Sequence, residues 1–198
     1  MSPLFEIEQC RVGHERLLAS LVNLSDAQVS EASRLPSWSR GHVLTHVARQ
    51  GDSVVRRLRA AIEGRIVDQY AGGRVERNQA IEAGAHRSAP ELVADLEASV
   101  RAVDAIFAEC SEEVWDPLVR SVDGPERPAR TLVSLRWQEV EIHHVDLGLG
   151  YELTEWPRAL VDLVLPSTVA ALVDRADSHE LLGWLTGRGP APALGPWD

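Results

Sequence analysis

The sequence has no lysine: all 20 of its basic residues are arginine. It has one methionine, two phenylalanines and two cysteines in 198 residues. No run of about 18 apolar residues occurs, so no ordinary membrane-spanning helix is expected. Positive charge is the scarcer sign, with 20 basic residues against 30 acidic and a net charge of −10. That balance argues against a nucleic-acid backbone as partner, which needs a basic surface. It also disfavours an anionic membrane surface. The opening MSPLFEIEQC has acids where a secretory signal needs a basic start and an apolar stretch, so a cytoplasmic protein is expected. Cys10 and Cys110 lie in separate helical patterns with no CxxC spacing. Two free, buried thiols are expected rather than a disulfide or a redox pair. There is no nucleophile elbow, P-loop or dinucleotide fingerprint.

What remains is a helical protein. Apolar residues recur at helical spacing from Glu6 to Leu24, then Ser25-Asp26 caps a short turn through Ala32. After Pro36, Ser37 or Ser39 caps a helix that runs to Gly64 with Val43, Val47, Val54, Leu58 and Ile62 as its stripe. Residues 65–73 read as a loop and Val75 to Ala85 as a short helix. Ser88, Pro90 and Glu91 open a long helix that ends at Cys110. Residues 111–130 carry turn signals at Asp123-Gly124 and from Pro125 to Pro128, and read as an irregular crossover with a loose hairpin. The next helix opens at Thr131 and stops at Gly148-Leu149-Gly150. Pro157 to Asp174 reads as a helix broken or kinked at Pro166. His179 to Leu185 reads as a last short helix capped by Asp177-Ser178, before an extended Pro/Gly-rich tail. The fold expected is an all-α four-helix bundle over residues 1–150 with a C-terminal helical extension over 151–198.

The most informative stretch is RWQEVEIHHVDLG, Arg136 to Gly148. Glu139 and His143 are four apart, so on a helix they stack on one face about 40° from each other. Leu132, Leu135 and Ile142 share that arc, while Trp137, Val140 and Leu147 cover the other side, so the helix should be buried all round. A buried carboxylate beside a buried imidazole is costly without partners, and a divalent metal ion would satisfy both. The same spacing also suits a plain intrahelical ion pair. A third ligand is sought on the Val43 stripe. His46 lies at its edge, and His42 falls about 40° further toward solvent, so His46 is preferred. Three protein ligands with a fourth position open is the pattern of catalytic zinc. Nickel, iron or manganese would accept the same donors. Asp146, or Glu141 if the helix rotates, is expected to accept a ring N–H from a ligating histidine. His144 points about 100° from His143 and is not expected to ligate.

Two blocks, LPSWSRGHVLTHVA and QEVEIHHVDLG, resemble those of the mycothiol-dependent maleylpyruvate isomerase family, and ERNQAI resembles a further family segment. The resemblance implies a DinB-like metal-binding four-helix bundle. Its zinc ligands fall on His46, Glu139 and His143, and its substrate-contacting arginine falls on Arg77, before Asn78. It further implies an enzyme using zinc and mycothiol, a low-molecular-weight thiol, against an electrophilic small molecule, as an isomerase or S-transferase. The family's C-terminal α/β domain would survive only as the short segment ending in HELLGWLTGRG. Two other readings stand beside this one: a non-catalytic helical binding module, and a DinB-like hydrolase using zinc-bound water.

Overall fold

The computed structural model describes residues 2–122 and 124–195. Asp123 of the expected Asp123-Gly124 turn and the last three residues of the tail lie outside the described residues. The elements are α1 (Leu4–Ser20), α2 (Asp26–Ser30), α3 (Arg40–Ile62), α4 (Gly73–Ala85), α5 (Ala89–Glu109), β1 (Leu118–Val119), β2 (Arg127–Pro128), α6 (Thr131–Asp146), α7 (Arg158–Ala170), α8 (Leu172–Arg175) and α9 (Ser178–Leu185). Two compact units follow from their contacts, Met1–Glu155 and Trp156–Asp198. Among the described residues no helix is long and apolar enough to cross a membrane.

In the first unit, side-chain caps mark the starts of α2, α3 and α5. Ser39 and His42 form a reciprocal capping box at the head of α3, and Ser88 with Glu91 does the same for α5. Gly148, at φ +63°, ends α6 in the left-handed region that other residues avoid. The four long helices α1, α3, α5 and α6 form the bundle. α3 is its centre and packs against α5, α4 and α6, while α1 packs on α6. Val43, Leu44 and Val47 of α3 meet Leu92, Leu96 and Val100 of α5, with Leu17, Leu21 and Val140, in one buried cluster. No residue of α6 is exposed; His143 is buried, while the Glu139 side chain stays 26% exposed. The crossover holds a 3-10 turn, Glu112–Trp115, and a two-residue ladder, Leu118 opposite Pro128 and Val119 opposite Arg127. Cys10 and Cys110 are free, Cys10 fully buried and Cys110 half-buried.

In the second unit, α7 does not break at Pro166 but continues through it to Ala170. The missing N–H leaves a carbonyl unmet, and on this mostly solvent-facing helix water can hydrate it. The tail folds back on the end of α8, where the Arg175 guanidinium donates to the Gly195 carbonyl at 3.0 Å.

Burial also reaches histidines with no place in the proposed centre. His144 is 2% exposed, its ring stacks on Tyr151 at 4.1 Å, and neither ring nitrogen has a hydrogen-bond partner among the described residues. Burial, with a smaller push from Arg16, lowers its pKa to about 4. A histidine whose folded pKa lies below its unfolded value of about 6.5 contributes stability that is complete above that value and is lost as pH falls. Between pH 6.5 and 4, urea midpoints should therefore fall more steeply for the wild type than for His144→Phe, which keeps the stack without the titration. Equal slopes would contradict this assignment.

Candidate metal centre

α3 delivers His46 from its second turn, and α6 delivers Glu139 and His143 from consecutive turns. The three donor atoms meet. His46 Nε2 lies 3.1 Å from Glu139 Oε2 and 3.1 Å from His143 Nε2, and His143 Nε2 lies 3.3 Å from Glu139 Oε2. His46 is 4% and His143 9% exposed. The three form one of two groups, among the described residues, whose donor atoms are close enough together to share an ion.

Proton bookkeeping tests whether these residues fit a metal. His143 Nδ1 faces Asp146 Oδ2 at 2.8 Å and carries its proton there, so Asp146 is the ring's partner. Glu139 is acceptor only. Three mutual edges of about 3 Å need three donor–acceptor pairs, yet the ring nitrogens turned inward hold at most one proton each. Whichever protons are present, at least one edge sets two lone pairs or two protons against each other. A single ion of tetrahedral preference, with bonds of about 2.0–2.1 Å, would place its donors about 3.3–3.4 Å apart and meet all three at once. The residues therefore fit a zinc-like cation.

The electrostatics agree. Burial pushes the Glu139 carboxyl up, but hydrogen bonds from His143 and His46 outweigh this and hold it well below the usual range. Burial pulls His143 down, yet Asp146 and then Glu139 raise it to about 9. Burial lowers His46, with the Glu139 hydrogen bond opposing. The pocket thus favours a positive charge next to His143, whether proton or metal.

Arg77 reaches this centre from α4. Its Nη2 lies 3.4 Å from His46 Nδ1, and its Nη1 donates to Asn78 Oδ1 at 3.0 Å. Glu141 does not serve the centre: its carboxylate faces α1, taking Arg16 at 3.0 Å and Trp137 Nε1 at 3.2 Å, with the Tyr151 hydroxyl. His144 lies apart from the three donors, as its angle on the helix implied.

His42 is a correction. It is only 9% exposed, because Trp38 stacks on it at 6.1 Å and Glu82 of α4 meets its Nε2 at 3.2 Å. The angle around α3 could not show that α4 covers that side. Trp38 also stands edge-on to His46 at 5.6 Å. Sequence reading also passed over Arg57 and Tyr70. Arg57 is buried with only carbonyl and hydroxyl partners, and burial lowers its pKa to about 10. The Tyr70 hydroxyl is buried without a hydrogen-bond partner among the described residues, and burial raises its pKa, with Arg77 opposing and Glu139 adding to the rise. Arg57 lies about 40° from Val43 around α3, nearer the apolar stripe than His46, so its angle could have marked it, whereas Tyr70 lies in a loop without periodicity.

A family profile described as the mycothiol maleylpyruvate isomerase N-terminal domain matches residues 10–148. The chain belongs to this family. Its fold is the helical, DinB-like one. Among solved structures it resembles the crystal structure of the mycothiol-dependent maleylpyruvate isomerase, at 25% identity and TM-score 0.77 over 98% of this chain and 80% of that one. A histidine-to-alanine mutant of a mycothiol-dependent maleylpyruvate isomerase superposes with the same coverage and TM-score at 24% identity, and bears on the fold alone. No curated protein matches the chain.

Proposed function

We propose that this protein is a zinc-dependent enzyme that activates mycothiol for addition to an electrophilic small molecule, as a maleylpyruvate-type cis–trans isomerase or a thiol S-transferase. The observation that carries this reading is the convergence of His46, Glu139 and His143 from two helices within 3.3 Å of one another. Family membership supports the thiol and the isomerase chemistry. Residues 151–198 are read as the counterpart of part of the family's C-terminal domain, since the superposition spans 98% of this chain.

His46, Glu139 and His143 would hold the zinc, whose Lewis acidity lowers the pKa of a thiol so that the nucleophilic thiolate exists at neutral pH. Asp146 keeps the His143 proton on Nδ1 and so leaves Nε2 its lone pair. Glu139 supplies the negative charge that favours a cation here. In the addition, thiolate sulfur bonds to an electrophilic alkene carbon while the π pair moves onto the conjugated carbonyl oxygen. Rotation about the resulting single bond, return of the pair and expulsion of the thiolate complete an isomerisation. Protonation at carbon instead completes a transfer.

Arg77 is assigned to an anionic group of the substrate or the thiol. Arg77→Ala should raise the KM for an anionic electrophile about 10- to 100-fold, the range of a lost charged hydrogen bond. Zinc content should stay unchanged, and Arg77→Lys should recover part of the loss. An unchanged KM would remove Arg77 from this role. The reading as a whole is tested by turnover with and without mycothiol, before and after chelation. Activity that requires both thiol and zinc supports it, whereas chelator-insensitive turnover contradicts it.

A further inference from the structure

We propose that His42, Glu82 and His86 form a second site for a divalent transition metal such as Zn2+, one helical turn from the first centre along α3. This inference does not depend on the thiol chemistry. The ligand set resembles that of the first centre: a glutamate of α4 and, four residues on, the histidine at that helix's C-cap face a histidine of α3. Glu82 Oε2 lies 3.2 Å from His42 Nε2, and Glu82 Oε1 lies 3.3 Å from His86 Nε2. All three donor atoms lie within 4.8 Å of one another. Two imidazoles and a carboxylate are donors suited to zinc, nickel or copper rather than to magnesium or calcium.

The backbone holds this set in place. α3 and α4 cross so closely that a Cβ on Gly41 would meet the Ala85 carbonyl oxygen at 2.1 Å. One on Gly84 would meet Thr45 Cγ2 at 2.5 Å. Glycine at both positions is what lets the helices approach, and the approach fixes Glu82 and His86 opposite His42. The His42 ring is itself fixed, stacked on Trp38 and 2.7 Å from Ser39 Oγ through Nδ1. In the tautomer that donates Nδ1–H to Ser39 Oγ, Nε2 keeps its lone pair for an ion. That tautomer gives up the longer 3.2 Å approach of the Ser39 amide to Nδ1. The Glu82 and His86 side chains are 69% and 72% exposed, so an ion can enter without any opening of the bundle. They can also rotate to shorten the donor spacing.

Equilibrium dialysis of tag-free, chelator-stripped protein against Zn2+ tests the proposal. The wild type should take up two ions per chain, and His86→Ala or Glu82→Gln one. Both substitutions lie on exposed side chains and should leave the fold intact by circular dichroism. His46→Ala should also bind one ion, and the His46→Ala/His86→Ala double variant none. If His86→Ala and Glu82→Gln bind as much zinc as the wild type, the second site is overturned. If they lose one ion while His46→Ala loses none, the second site stands and the first centre fails.

Discussion

His46→Ala should empty the first centre and lower thiol-dependent turnover on the order of 10³-fold or more, the several kcal/mol that a Lewis acid supplies. The variant leaves two of three ligands, both on α6, and those already form a hydrogen-bonded pair with Asp146 behind them. The fold should therefore survive. His46 links α3 to α6 through Glu139 and His143, but its loss relieves a triangle of contacts that protons alone cannot satisfy, and the apolar packing of the two helices remains. A protein that folds, binds no zinc at this centre and turns over slowly is the expected result. Turnover within about tenfold of wild type would show that His46 has no part in the chemistry, since tenfold corresponds to only about 1.4 kcal/mol.

The largest stability effect is expected away from the centre, at Arg136. Its side chain is fully buried, and burial lowers its pKa. Nε donates to His14 Nε2 at 3.0 Å, and Nη1 donates to the Val47 carbonyl at 2.7 Å and to Gln50 Oε1 at 2.8 Å. His14 passes the interaction on, donating Nδ1–H to Asp104 at 2.9 Å. One guanidinium thus ties α6 to α1 and α3, with the His14 imidazole between it and the Asp104 carboxylate. Arg136→Ala leaves two buried side-chain acceptors, His14 Nε2 and Gln50 Oε1, without their donor and a cavity besides, and should cost about 3–5 kcal/mol. Arg136→Met refills much of the volume but not the donors, and should cost less. Urea unfolding of the two variants checks this, and a loss below about 1 kcal/mol in Arg136→Ala would contradict it.

Arg136 also shows where sequence reading stops. Its partners are 122, 89 and 86 positions away, so no local pattern distinguishes it from the other arginines. His42 failed for the same reason, because what covers it comes from α4. Properties that depend only on neighbours along the chain were legible. Ser88 caps where hydroxyl and N3 glutamate predict, Ser39 is the one of the two serines expected at the head of α3, and α6 leaves no residue exposed because its apolar residues point in several directions. The juxtaposition of His46 with Glu139 lay between these cases. The helical angle selected it over His42, the need of Glu139 and His143 for a third ligand paired the two helices, and the resemblance to the family implied the same three residues. Glu82 and His86 show the same four-residue spacing as Glu139 and His143. They drew no notice because α4 is short and its solvent face hides the α3 histidine opposite.

The most direct test of the three-ligand centre is to follow the histidine ring nitrogens by 15N NMR while zinc is added. The account predicts that the first equivalent moves the Nε2 signals of His46 and His143 together, with Nδ1 of His143 remaining protonated toward Asp146, while His14 and His144 stay unmoved. A first equivalent that leaves His46 and His143 unchanged would contradict it.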